Sequence, residues 1–364
     1  MTIREVTNYI EELAPLAYAE DFDNVGLLTG NYQTKVSGIL VALDTLEETV
    51  DEAIANRCNL IVSFHPIIFS GLKKLNGDTY VERVVLKAIK NDIAIYATHT
   101  ALDNSKNGVS AKIGEVLGLD NLQILISKKR IIHKLTTFVP VANAEQLKKA
   151  LFEAGTGNIG NYDHCSFSVE GMSTYRGNEN ANPVIGEKGS IHSEKEVAIS
   201  VVYENKNEQR VLKALQNNHP YEEIAYDIVV TENVHQNIGM GMSGTLPNPM
   251  NEKDFLVFIK KTMKTACIRH SNYTGKKIRK IAVLGGSGSF AISNAIRCGA
   301  DAYISADFKY HDFFKAEGKM LLADIGHYES EQFTKNLLHE YLTKKIVNFA
   351  VVLSEKSTNP IYYI

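Results

Sequence analysis

The stretch Met320-Leu-Leu-Ala-Asp-Ile-Gly-His-Tyr-Glu-Ser-Glu-Gln-Phe333 changes its period halfway along. Met320 to Ala323 is an apolar run of strand length, and Asp324 and Gly326 end it. From His327 onward the spacing is helical, with Phe333, Leu337 and Leu338 on one face. His327 and Glu331 stand four apart in the first turn, which puts their Cβ atoms roughly 5–6 Å apart on a shared face. An imidazole and a carboxylate so placed are able to close on one ion. Alone, the pair reads first as an ordinary solvated first turn. What gives it weight is that two distant segments repeat the design.

The run Leu60 to Phe64 reads as a strand that delivers His65 at its end, where Pro66 blocks a helix. Ile93 to Thr98 is another strand, and it ends in His99-Thr-Ala-Leu-Asp103. Val36 to Leu43 is a third, ending at Asp44, and Ala302 to Ser305 a fourth, ending at Asp307 with Lys309, His311 and Asp312 beyond. Helical patterns over 3–18, 46–56, 79–90 and 108–117 alternate with the early strands, and the style returns after residue 235. That alternation predicts an α/β body with a mostly parallel sheet, formed by both chain ends, 1–127 and 235–364. Ligands of such sheets bind outside the carboxyl ends of the strands. His65, His99 with Asp103, and His327 with Glu331 are therefore expected at one edge, as a metal site.

Between the two halves, residues 128–234 have a different character. Strand patterns over 130–139, 163–169, 197–203 and 224–231 and helical ones over 143–154 and 207–217 give a β-α-β-β-α-β order. This predicts an inserted ferredoxin-like α+β domain. The glycine-rich Gly155-Thr-Gly-Asn-Ile-Gly-Asn-Tyr162 is no P-loop, because no Gly-Lys-Ser/Thr follows it. Gly285-Gly-Ser-Gly-Ser-Phe290, after the strand Lys280 to Leu284, reads either as a weak phosphate-cradling turn into a helix or as a structural tight turn.

Composition narrows the chemistry. The 364 residues, 44% hydrophobic and 22% charged, are those of an ordinary globular protein with two or three domains. With 39 basic and 42 acidic residues, the net charge of −3 gives no support to a nucleic-acid partner or an anionic membrane. No apolar run approaches the roughly 20 residues of a membrane span. The sequence Met1-Thr-Ile-Arg-Glu-Val has no signal-peptide core, so a cytoplasmic location is expected. Cys58, Cys165, Cys267 and Cys298 form no Cys-x-x-Cys pair and read as reduced thiols. A metal here must be held by histidine and carboxylate, a donor set that suits Zn, Mn or Fe as divalent ions.

Five segments together resemble a known family: Asp23-Asn-Val-Gly26, Phe64-His-Pro66, Thr98-His-Thr-Ala-Leu-Asp103, Ala306-Asp-Phe-Lys-Tyr-His311 and Asp324-Ile-Gly-His-Tyr-Glu-Ser-Glu331. They are similar to those of the GTP cyclohydrolase 1 type 2 homologs, the NIF-three-like dinuclear metal-centre hexamers. Tyr162-Asp-His-Cys-Ser-Phe167, Gly186-Glu-Lys-Gly189 and His219-Pro-Tyr-Glu-Glu223 resemble the insertion domain of the longer bacterial members. The resemblance implies a toroidal homohexamer with two divalent metal ions per subunit. It carries the metal ligands over to His65, Asp103, His327 and Glu331, with Glu331 bridging both ions. It places His99 beside the ligands or facing a substrate rather than on the metal. Two positions depart from the family pattern. Phe64 stands where the family has the first of two adjacent histidines, which implies that one ion position is weakened, and Ala306 stands where glycine is usual.

The activity these expectations favour is metal-assisted hydrolysis of a nucleotide-like or phosphoester small molecule. The contrasting expectation is a non-enzymatic metal-binding or regulatory hexameric scaffold. Open coordination positions would favour the enzyme, and a fully protein-ligated site the scaffold.

Overall fold

The computed structural model describes residues 1–364. The chain divides into two compact units, Met1–Ser127 with Asn237–Ile364, and Lys128–Gln236. Each has its own hydrophobic core.

The larger unit holds two sheets where the strand pattern suggested one mostly parallel sheet. In the first, Gly26–Thr29, Ala94–Ala97, Leu60–Ser63, Ile39–Ala42 and Val351–Leu353 lie side by side in that order. All its pairings are parallel except that of the edge strand Gly26–Thr29. The second runs Arg269–His270, Leu321–Asp324, Ala302–Ala306, Lys277–Ser287, Gly239–Asn251 and Asp120–Ser127. Of its four inner strands, only Leu321–Asp324, Ala302–Ala306 and Lys277–Ser287 are mutually parallel. The expectation of a mostly parallel body is thus corrected to one largely parallel sheet and one mixed sheet. The reason lies in the connections. Asp120–Ser127 and Gly239–Asn251 are antiparallel neighbours on either side of the inserted residues, so no helical crossover joins them.

The helices follow the amphipathic patterns. Ile3–Leu13 buries Ile3, Val6 and Ile10, and its start is fixed by a capping box between Thr2 and Glu5, a device worth roughly 1 kcal/mol. Alternate residues of each buried strand face opposite layers. Ile39, Val41, Leu60 and Val62 share the central core with Ile281, Val283, Ile304 and Leu321 of the other sheet. Leu40 and Ile61 pack outward on Val50, Val84 and Val85 of the helices Glu47–Ala55 and Tyr80–Lys90. No helix is long and apolar enough to cross a membrane.

The smaller unit has the strands Ile132–Pro140, Ser166–Tyr175, His192–Glu204 and Tyr226–Val230, with helices Ala144–Glu153 and Glu208–Asn218. Its sheet is antiparallel throughout, in spatial order Ser166–Tyr175, His192–Glu204, Ile132–Pro140, Tyr226–Val230. Both helices cover one face through Leu147, Leu151, Val211 and Leu215. At Gly155 and Gly157 φ is +102° and +81°, so the glycine-rich segment serves as a turn.

Candidate metal centre

The carboxyl ends of strands from both sheets of the larger unit meet at one place. Leu60–Ser63 leads to His65, Ile39–Ala42 to Asp44, Ala302–Ala306 to Asp307, and Leu321–Asp324 to the short helix His327–Glu331. The geometry there is nearly symmetrical. Nδ1 of His65 meets Asp44 Oδ1 at 2.7 Å, and Nδ1 of His327 meets Asp307 Oδ2 at 2.7 Å. The Nε2 atoms of both rings lie 3.2 Å from the same atom, Oε2 of Glu331. The donor atoms of His65, His327 and Glu331 all fall within 4.8 Å of one another.

Each carboxylate behind an imidazole fixes the ring and its tautomer, so that Nδ1 keeps the proton and Nε2 presents a lone pair. Asp307 is itself held in a left-handed conformation, φ +58°, and receives the hydroxyl of Ser287. Glu331 is buried, and its Oε2 finds no well-aligned hydrogen-bond donor, the two imidazole Nε2 atoms standing 3.2 Å away. A buried carboxylate oxygen without a donor is costly unless a cation meets it. The backbone makes room for that group. Gly286 has φ +68°, and a Cβ there would collide with Glu331 Oε1 and come within 3.3 Å of His327 Nε2. Its N–H donates to Ser330 Oγ at 2.8 Å.

The charges are balanced as a cation site would require. Burial alone would lower His65, yet the Asp44 hydrogen bond and the Glu331 carboxylate carry it up to about 10. His327 is likewise pushed up to about 10, by Asp307 first and Glu331 next. Glu331 is brought down to about 2, because its two imidazole neighbours outweigh its burial. Asp103 goes the other way. Burial first, and the Glu331 carboxylate second, hold its carboxyl well above the usual range. Without a cation, protons must therefore neutralise the cluster.

The remaining expected residues lie around the cluster rather than within it. Asp103 and His99 line a cavity of about 270 Å³ together with Thr100, Phe22, Phe290, His327 and Glu331. His99 has a strained backbone, φ +25°, and its Nδ1 is held by Asp23 Oδ1 at 2.8 Å. Hydrogen bonds from His99 and Thr100 bring Asp23 down to about 2 against its burial. Phe64 is fully buried, its ring centroid 4.7 Å from that of His65 and 5.5 Å from that of His99. It packs beside the imidazoles and offers no donor. The phosphate-cradle reading of Gly285–Phe290 fails, because the strand runs on through Ser287 and the helix beyond, Ile292–Arg297, has six residues. Gly285 and Gly286 make room for Glu331 instead, and Gly288 for Ser305 and Tyr303. Of the polar groups after Ala302–Ala306, Asp307 reaches the cluster, whereas Asp312 turns back onto the Lys309 N–H and Lys315.

Asp44 and Asp307 are the residues whose role the spacing did not assign. Both stand one or two positions beyond a buried strand, the same signal that singled out the histidines.

Two carboxylate-backed imidazoles around a buried glutamate, at the edge of an α/β body, form a cluster that could hold a metal ion. The chain belongs to the Duf34/NIF3 (NGG1p interacting factor 3) family, whose sequence model matches residues 1–360. It is 35% identical over 374 aligned positions to the GTP cyclohydrolase 1 type 2 homolog of Bacillus subtilis, covering 99% of this chain and 98% of that one. Among solved structures it resembles a Bacillus cereus protein related to NIF3, with TM-score 0.82, 35% identity and coverage of 100% and 99%. Staphylococcus aureus protein SA1388 follows, with TM-score 0.78, 31% identity and the same coverage.

Proposed function

We propose that the chain is a metal-dependent hydrolase with a dinuclear centre, acting on a nucleotide-like or phosphoester substrate. The observation that carries this reading is the orphaned Oε2 of Glu331, 3.2 Å from two imidazole nitrogens and beside a substrate-sized cavity. In this reading His65, Asp103 and Glu331 hold one divalent ion, and His327 and Glu331 hold the other. Bound there, such ions supply Lewis acidity toward water and toward a phosphoryl or carbonyl oxygen. Asp44 and Asp307 orient the ligating rings. His99, anchored through Nδ1, keeps Nε2 to carry a proton on the cavity side. Phe22 and Phe290, exposed by 68% and 57%, offer ring faces to a flat substrate such as a nucleobase. The inserted unit has the connectivity and strand order of a ferredoxin-like module.

A homohexamer is part of the same proposal. Tyr310 and Phe314, exposed by 73% and 63% with ring centroids 5.4 Å apart, form apolar surface that an assembly would cover. Native mass spectrometry tests that assembly.

Elemental analysis of protein purified without added metal, followed by a phosphoester and nucleotide hydrolysis screen, tests the enzyme. Bound Zn, Mn or Fe together with turnover that chelation abolishes is the expected result. Metal without turnover would overturn the hydrolase and leave a metal-binding scaffold.

A further inference from the structure

His219-Pro-Tyr-Glu-Glu223 has no part in the metal chemistry, and the structure gives it a different setting within the smaller unit. His219 is buried and pinned at both ring nitrogens. Its Nε2 lies 2.8 Å from the carbonyl oxygen of Phe138, and its Nδ1 accepts the Tyr221 N–H at 3.1 Å. Such a ring is neutral, with the proton on Nε2, and burial keeps its pKa below the ordinary value. Tyr221, fixed in this way, donates its hydroxyl to Oε1 of Glu196 at 2.7 Å. Burial pushes the phenol up, and the Glu196 hydrogen bond adds to this, so Tyr221 stays a neutral donor.

Glu196 lies on the face of the antiparallel sheet opposite the two helices, since its neighbour Val197 points into their core. An open sheet face is ordinarily wet, yet Glu196 is only 5% exposed. Residues of the segment after Tyr175 line a cavity together with it, and the Tyr175 hydroxyl ties that segment down by donating to the carbonyl of Ile185 at 2.7 Å. That cavity, of about 290 Å³, is lined by Phe138, Tyr175, Tyr221 and Glu196, with Glu222, Glu223 and Arg176 at its edge. The protein's hydrogen bond to the Glu196 side chain is the one from Tyr221, to Oε1, and Oε2 receives none.

A carboxylate that is mostly buried, lines a cavity and keeps one oxygen free of protein donors is well placed to meet a cation entering that cavity. Three aromatic rings around it supply negative faces that attract the same charge. The acidic groups lining the cavity outnumber the single arginine. We infer that this cavity is a binding site for a small organic cation, an ammonium, amidinium or guanidinium whose head meets Glu196 and whose apolar body lies against Tyr175, Tyr221 and Phe138. The inserted unit is on this account a sensor for such a molecule, independent of the metal centre.

The test uses the full-length protein and three probes of one shape: benzamidine, a planar cation; benzamide, its neutral counterpart; and benzoate, an anion. Methylammonium and guanidinium serve as smaller cations. Calorimetry and the tyrosine ring resonances should show saturable benzamidine binding, at least about tenfold tighter than benzamide, with benzoate not binding. Glu196→Gln should weaken benzamidine by about tenfold or more, as loss of a buried counter-charge demands. Tyr221→Phe, which keeps that charge, should retain binding, and Glu331→Gln should leave it unchanged. Equal affinity for benzamidine and benzamide in the unaltered protein would overturn the inference, whether or not the variants fold. So would the failure of all three cations to bind at millimolar concentration, or unaltered benzamidine binding in folded Glu196→Gln.

Discussion

Thr358 donates its hydroxyl to Asp44, a residue 314 positions earlier in the chain. The acceptor is Oδ2, and the other oxygen of Asp44 holds Nδ1 of His65 at 2.7 Å. One residue on, the Asn359 side chain donates to Glu329 Oε1 at 3.1 Å, beside the turn that presents His327. The C-terminal segment is thus a strap behind the candidate metal centre, touching Asp44 and Glu329 rather than His65, His327 or Glu331.

Removing the carboxylate behind a ligating histidine typically costs about 10–100-fold in metal affinity. Asp44→Ala is expected to fall in that range, and Thr358→Val, which removes a support of that support, to cost severalfold. Competition with a chromogenic chelator measures both. An Asp44→Ala protein that binds metal as tightly as the unaltered one would show that His65 needs no such partner.

The shared position of Glu331 between two imidazoles sets a second expectation. Glu331→Gln should lower total bound metal more than His99→Ala does, because Glu331 faces both His65 and His327 while His99 lies outside that cluster. His99→Ala should keep its metal and lose turnover. Plasma emission on the two purified variants reads the first part, and equal metal loss would refute the division of roles.

How much of this was legible in the sequence depends on the kind of signal. His65, His327 and Glu331 were readable because short buried strands announce their ends, and ligand geometry needs residues there. Glu331 also shares a helix face with His327 by simple periodicity. The strand Gly239–Asn251 was hidden, since Gly-Met-Gly-Met-Ser-Gly and two prolines give no β-branched alternation. Gly26–Thr29, only four residues long, was lost in the polar turn before it. Missing these strands made the body look more parallel than it is. The pairing of Asp44 with His65 and of Asp307 with His327 joins residues 21 and 20 positions apart, and no local period encodes it.

Phe64 leads to the expectation most specific to this chain. Its ring fills the space beside His65 and His99, where a histidine would bring a further nitrogen donor. Protein purified at low metal should carry closer to one ion per chain than two, and Phe64→His should raise the second affinity. Titration calorimetry with Zn or Mn distinguishes the cases. Two tight ions in the unaltered protein, unaffected by the substitution, would remove Phe64 from the account.

Proton linkage gives a prediction for chelator-treated protein. His65 and His327 are each raised to about 10 from an ordinary 6.5, so both carry a proton at neutral pH when no ion is bound. A group whose folded pKa is raised contributes stability that is complete below its unfolded value and disappears as pH climbs through the folded one. The melting temperature of metal-free protein should therefore fall between pH 6.5 and 10. Because an ion displaces those protons, uptake at pH 7.5 should release more than one proton per ion, read from calorimetry in buffers of different ionisation enthalpy. Uptake without proton release would contradict the charge balance described for the cluster.

The inserted unit should be removable. Its hydrophobic core, centred on Leu135, Leu147, Ile199 and Val211, is separate from the cores of the larger unit. The decisive point is where the chain leaves and returns. Ser127 pairs directly with Gly239 in adjacent antiparallel strands, so the two cut ends stand as close as the ends of a β-hairpin. A few Gly/Ser residues in place of 128–236 can close such a gap, and closing a short loop costs little entropy. The shortened protein is expected to stay folded, to bind metal with unchanged affinity through His65, His327 and Glu331, and to lose benzamidine binding altogether. Circular dichroism, plasma emission and calorimetry on one preparation read all three. An insoluble or metal-free product would show instead that the second sheet needs residues 128–236 to hold Asp120–Ser127 against Gly239–Asn251.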